Sequence, residues 1–161
     1  MHERKLLAPL IITVCCGLAA GCGSAASSPP GVDWNGYRAE YRVEATKLHL
    51  PPSARWPSRP PEAKTAPDGG EIFFEVGTGK SDADRYWFCS WAREWLATQT
   101  ADPARAKTAL ARLDALRSTF LYRGATQSND RHLYDDQVHR AALGDPGPLH
   151  REVQLNCPRP A

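Results

Sequence analysis

Three groups of residues have the types and spacing to do chemistry. Gly77-Thr78-Gly79-Lys80-Ser81 follows an apolar run and precedes a helical pattern, the setting in which backbone N–H groups of a glycine-rich loop wrap a phosphate. A full phosphate loop needs an earlier glycine, and Phe74 holds that place. No strong apolar strand ending in Asp follows to hold magnesium. The string therefore reads as glycines that end an extended strap and a serine that helps start a helix, and a nucleotide is not an expected partner.

His132, Asp135, Asp136 and His139 come next. On a helix His132–Asp136 and Asp135–His139 are i,i+4 pairs, so two imidazoles and two carboxylates could share one side, a donor set suited to a divalent metal. HExxH is absent and no third helical histidine lies in place, whereas solvated ion pairs on a helix surface account for the same residues. No metal or other cofactor is expected. Asp130 and Asp135 could serve as catalytic carboxylates, but nothing marks them apart from other surface acids. There is no GxSxG to expose a serine nucleophile, and His49 and His150 lack sequence partners of clear geometry. No motif argues for an enzyme, although catalytic groups often meet only in the fold.

Trp87, Trp91 and Trp95 follow i,i+4,i+8 spacing and form a ridge. Rings of this size usually supply core area in a small domain, with each indole N–H needing an acceptor or an exposed edge. The alternative is that part of the ridge, with Trp56 or Tyr86, lines a groove for a glycan, lipid or peptide. A contiguous exposed patch would mark that use.

The elements that must position these residues are mostly helical. Ser81 or Asp82 can cap a helix running to about Thr100. On its wheel Trp87, Phe88, Trp91, Ala92, Trp95 and Leu96 share an arc, with Cys89 at the margin and Tyr86, Ser90, Arg93 and Glu94 on the other side. Asp102-Pro103 is a cap with proline at the first helical position, opening a helix to about Phe120 with Ala106, Leu110, Leu113, Leu116 and Phe120 as its stripe. Asn129 or Asp130 starts a third helix with Leu133, Tyr134, Val138, Ala141 and Ala142 inward. Gly144-Asp145-Pro146-Gly147 is a turn, and residues 148–157 form a short last element, helix or strand. Residues 37–50 also fit either period: Tyr37, Tyr41, Ala45 and Leu48 recur as in a helix, while Tyr37, Ala39, Tyr41, Val43 and Ala45 alternate as in a strand. Six prolines and Trp56 make residues 51–67 an extended loop, and Ile72–Val76 is an edge strand or a strap. The fold class expected is mainly α: a small bundle of three to five helices with a proline-rich loop and at most one short strand.

Length and composition agree with one domain. The chain has 161 residues, 42% of them hydrophobic, and a formal net charge of +2 from 20 basic and 18 acidic side chains. That is enough apolar material for a core. Scattered charge of both signs leaves no basic stripe for nucleic acid.

The amino-terminal end carries an address. Arg4 and Lys5 precede an apolar run from Leu6 to Ala20, shorter than the ~20 residues that span a bilayer and interrupted by Pro9 and Gly17. Leu18-Ala19-Ala20-Gly21-Cys22 resembles the lipobox of bacterial lipoprotein precursors, with Ala19 standing where leucine is commonest. The resemblance covers this leader, and the rest of the chain resembles small uncharacterised bacterial lipoproteins only in general character. It implies a cleaved signal peptide over residues 1–21 and a diacylglyceryl group on the thiol of Cys22. Residues 22–35, rich in Gly, Ala, Ser and Pro, would be a flexible tether, and residues 36–161 a single helical domain. A diacyl anchor holds where one acyl chain would be marginal.

Export in turn implies that Cys89 and Cys157, the pair left over, form a disulfide, contributing about 4 kcal/mol through the constrained unfolded chain. Two free thiols, or two soft metal ligands without companions, are the other readings. The expected role is a lipid-anchored, non-catalytic binding or structural accessory on the outer face of the cytoplasmic membrane, with the membrane and an envelope protein, glycan or lipid as partners. A small envelope hydrolase and a ligand-binding protein with a Trp-lined pocket are the alternatives.

Overall fold

The computed structural model describes residues 31–58, 66 and 69–159. The leader, Cys22 and the first part of the tether lie outside the described residues, as do residues 59–65 and 67 of the proline-rich loop and residue 68 after it. Five α-helices follow in order: α1 (Trp34–Ala45), α2 (Thr78–Thr98), α3 (Pro103–Asp114), α4 (Arg131–Ala142) and α5 (Gly147–Leu155). Between α3 and α4 lie a 3₁₀ turn (Ala115–Ser118) and a π-helical turn (Leu121–Ala125). The class is mainly α, a small bundle closed by a disulfide between Cys89 and Cys157. Ile72–Val76 is a strap, and Phe74 exchanges a pair of 2.8 Å backbone hydrogen bonds with Val32 as an isolated bridge.

Residues 37–45 take the helical period because it puts Tyr37, Tyr41 and Glu44 on one buried face and leaves Val43 exposed; alternation would have buried Val43 beside Tyr41. The Asp33 carboxylate caps the first turn by accepting the Gly36 N–H at 2.8 Å. Trp34 stacks on Tyr37 with centroids 5.0 Å apart. Val32 to Asn35, assigned to the tether on composition, thus belong to the fold.

α2 is the central element, packed against α1, α3, α5 and the π-turn. The arc beside the tryptophans, expected to be solvated, is buried: Tyr86, Ser90 and Glu94 are buried together with Trp87, Trp91 and Trp95. A helix buried over so broad an arc needs partners for its polar groups. Residues 53–55 and Arg105 supply them.

The second predicted helix is shorter than expected. Asp102 caps α3 through the Arg105 N–H and Pro103 opens it, but the helix stops at Asp114. Thr119 turns extended, with ψ 164°, and the Leu121 N–H leaves the helical pattern to donate to Asp84 Oδ2 at 2.8 Å. Phe120 lies outside α3, its ring over Gly77 and Gly124. α4 buries Val138 and Ala141, while Leu133 and Ala142, expected inward, are exposed. α5 is a helix that buries Leu149 and Glu152.

Candidate binding clefts

The glycine string at 77–81 is an anion site whose anion is part of the chain. α2 starts at Thr78, earlier than its own sequence signals, because the Glu40 carboxylate of α1 accepts the N–H of Gly77 with both oxygens at 2.9 Å and that of Gly79 at 3.2 Å. Free N–H groups and the helix dipole favour negative charge at such an end. Gly77 has φ +95° and sits under Phe120, so both conformation and space demand glycine there. Lys80 lies 5.3 Å from the Phe120 ring centroid, a cation–π contact. Each feature of the string has a structural partner.

The tryptophan ridge is core. Trp87, Trp91 and Trp95 are 4%, 5% and 4% exposed. The indole N–H groups of Trp87 and Trp91 both donate to the His49 carbonyl at 2.9 Å, which fastens the chain leaving α1 to α2. These three rings cannot line a surface groove. Trp56 is different: half-buried, it packs edge-on against Tyr41 and beside Tyr86, at 6.0 and 5.4 Å.

Beside that aromatic group opens a groove of about 520 Å³ lined by Tyr41, Pro57, Asp82, Arg85, Tyr86 and residues 155–159. Its volume falls in the range of small-molecule and peptide-anchor sites, roughly 300–1,000 Å³. Tyr37 donates its hydroxyl to Asp82 Oδ2 at 2.9 Å. Burial first, then the Asp82 carboxylate, holds the Tyr37 phenol protonated far above the ordinary tyrosine range. Burial, Tyr86 and Asp82 do the same for Tyr41. The groove thus presents the phenols of Tyr41 and Tyr86, one acid, Asp82, and two guanidiniums, Arg85 and Arg159, with Leu155 78% exposed at its rim. The groove offers ring faces and hydrogen-bonding groups to whatever enters it. Its outer wall is the chain after α5, fixed by the disulfide at Cys157 and by Arg93, which donates to the Pro158 carbonyl at 2.5 Å. Of these residues only Tyr86 and Trp56 stood out as groove candidates in the sequence.

The His/Asp group on α4 does not converge. Asp135 accepts from Arg117 Nε and the Tyr122 hydroxyl, each at 2.9 Å. Desolvation pushes its carboxyl up, and these donors more than offset that, so the net direction is below the ordinary carboxylate range. His132 Nδ1 lies 2.6 Å from the Asn129 carbonyl, and Asp136 and His139 are exposed. Among the described residues no three His, Cys, Asp or Glu side chains are grouped to hold a metal ion. None of their serines or cysteines is hydrogen-bonded to a histidine ring.

No protein-family model, curated protein or solved structure matches the chain. No helix among the described residues is long and apolar enough to cross a membrane.

Proposed function

We propose that the protein is a membrane-anchored extracytoplasmic lipoprotein, fastened at Cys22 to the outer face of the cytoplasmic membrane. Its helical domain acts as a non-catalytic binding module of the cell envelope. The observation that carries this reading is the Cys89–Cys157 disulfide, which joins residues 68 apart. Such bridges persist in oxidising compartments and are rare where thiols are kept reduced. With that pair joined, the lipobox-like Cys22 is the thiol left for an acyl anchor after cleavage of the leader. The groove beside Tyr41 and Tyr86 is the surface assigned to the envelope partner, because its wall is the segment that the disulfide holds.

Mass spectrometry of the protein extracted from membranes is the test. A mature chain starting at diacylglyceryl-Cys22, with Cys89 and Cys157 unreactive to alkylation before reduction, is the expected result. A water-soluble, unacylated chain with two free thiols would overturn it.

A further inference from the structure

The face of α2 that carries Tyr86, Ser90, Arg93, Glu94 and Ala97 meets residues 53–55 and Arg105 across a second cleft, of about 390 Å³. The spacing i, i+4, i+7, i+8, i+11 keeps these α2 residues on one side of the helix. The loop after α1 forms one wall and the first turn of α3 the other.

The charges around this cleft do not cancel. Three guanidiniums, of Arg55, Arg93 and Arg105, face one carboxylate, Glu94. Glu94 is 3% exposed and already satisfied: Ser53 Oγ donates to Oε2 at 2.6 Å, and Arg105 donates to Oε1 through Nε at 2.9 Å and Nη2 at 2.5 Å. That pair is neutral as a unit. Arg55, which is exposed, and Arg93 form no ion pair among the described residues. Arg93 is half-buried, and its one hydrogen bond goes to the Pro158 carbonyl, which orients the fork without neutralising it. Burial lowers the guanidinium's pKa, with Tyr86 offsetting part of that. A guanidinium without an anionic partner leaves a planar fork that matches carboxylate and phosphate oxygens two at a time.

We infer that this cleft binds a small oxyanionic ligand, its phosphate or carboxylate group held between Arg55 and Arg93 and its organic body lying over Ala97. The cleft is large enough for more than the bare oxyanion, and Ala97, exposed and short, leaves that space open. This cleft adjoins the groove at Tyr41, with Tyr86 lining both and Arg93 reaching the Pro158 carbonyl of the groove's wall, and binding here does not depend on the membrane anchor.

Calorimetric titration of the purified protein at low salt, with phenyl phosphate, benzoate, inorganic phosphate and uncharged benzamide, tests it. Expected is saturable one-site binding of an aromatic anion and none of benzamide; the tighter of phenyl phosphate and benzoate identifies the headgroup. Arg93→Gln weakens binding at least tenfold and Arg55→Gln several-fold. Ala97→Phe abolishes it by filling the cleft without changing charge, and Arg151→Gln, an exposed arginine of α5, leaves it unchanged. Because Arg93 also holds Pro158, Arg55→Gln and Ala97→Phe carry the test if Arg93→Gln fails to fold. No saturable binding of either aromatic anion would overturn the inference. So would an equal loss in Arg151→Gln, or full binding by Ala97→Phe.

Discussion

Gly79 faces the backbone of α1 so closely that a β-carbon there would lie 2.3 Å from the carbonyl oxygen of Tyr37 and 2.9 Å from the amide nitrogen of Tyr41. The two helices cross at this point through main chain. Neither contact is the movable end of a side chain, so a methyl group must push α1 and α2 apart. Overpacking of this kind costs about 1–3 kcal/mol. Gly79→Ala is expected at the upper end, lowering the urea midpoint of unfolding despite alanine's better helix propensity. An unchanged midpoint would mean that the helices pass further apart than described.

The same crossing sets a second expectation. Glu40 takes the place that a phosphate occupies in nucleotide-binding loops, accepting from Gly77 and Gly79. Glu40→Ala strips charge-assisted acceptors from the start of α2 and should cost about 2–3 kcal/mol. Glu40→Gln keeps an oxygen but loses the charge at the dipole, and should cost about 1 kcal/mol. Raising the salt concentration should narrow the gap between wild type and Glu40→Gln, while the Glu40→Ala deficit persists. Urea unfolding at two ionic strengths checks both.

These two sites show which parts of the fold were legible. Asp33 and Asp102 cap helices through backbone groups three residues on, so local spacing revealed α3 and is consistent with α1. The start of α2 is set by Glu40, 37 residues before Gly77, and no local pattern announces it. Tyr86, Ser90 and Glu94 read as a solvent side because polar residues at helical spacing usually are one. Their burial depends on Ser53, Arg55 and Arg105 arriving from other elements. α3 ends early for the same kind of reason, since Asp84 draws off the Leu121 N–H. Both clefts are built at such tertiary meetings, which is why single residues of them were visible in the sequence and the sites were not.

Asp84 should give stability a pH dependence of identifiable origin. It is fully buried; Oδ2 accepts from Leu121, and Oδ1 has no donor. Burial raises its carboxyl pKa from 3.8 to about 6, with Glu44 adding to the rise and the Leu121 N–H offsetting part of it. The folded chain therefore holds this proton more tightly than the unfolded chain. The associated stability is complete below pH ~4 and is lost as pH rises through about 6. The full difference corresponds to roughly 3 kcal/mol. Asp84→Asn cannot titrate, so between pH 4 and 7.5 wild type should lose stability relative to this variant by up to that amount. Guanidinium melts of both proteins at each pH measure it, and a flat difference would assign Asp84 an ordinary carboxyl.

Cys89 is fully buried on α2 while Cys157 is partly exposed in the segment that walls the larger groove. A reductant can approach only from the Cys157 side. Opening the bridge frees a loop whose closure contributes about 4 kcal/mol on chain-entropy grounds. Cys89→Ala with Cys157→Ala should lose a similar amount, the buried position accepting alanine without an unpaired polar group. The effect on the groove separates from the effect on stability. Asn156 is still tied to α5, its side chain donating to Glu152 Oε2 at 2.8 Å; beyond it, Cys157 and the Arg93–Pro158 contact fasten the wall among the described residues. Amide hydrogen exchange over residues 155–159 should therefore accelerate on reduction under conditions where α2 and α3 remain protected. Uniform acceleration across all helices would mean instead that the bridge holds the fold as a whole and that the wall does not move independently.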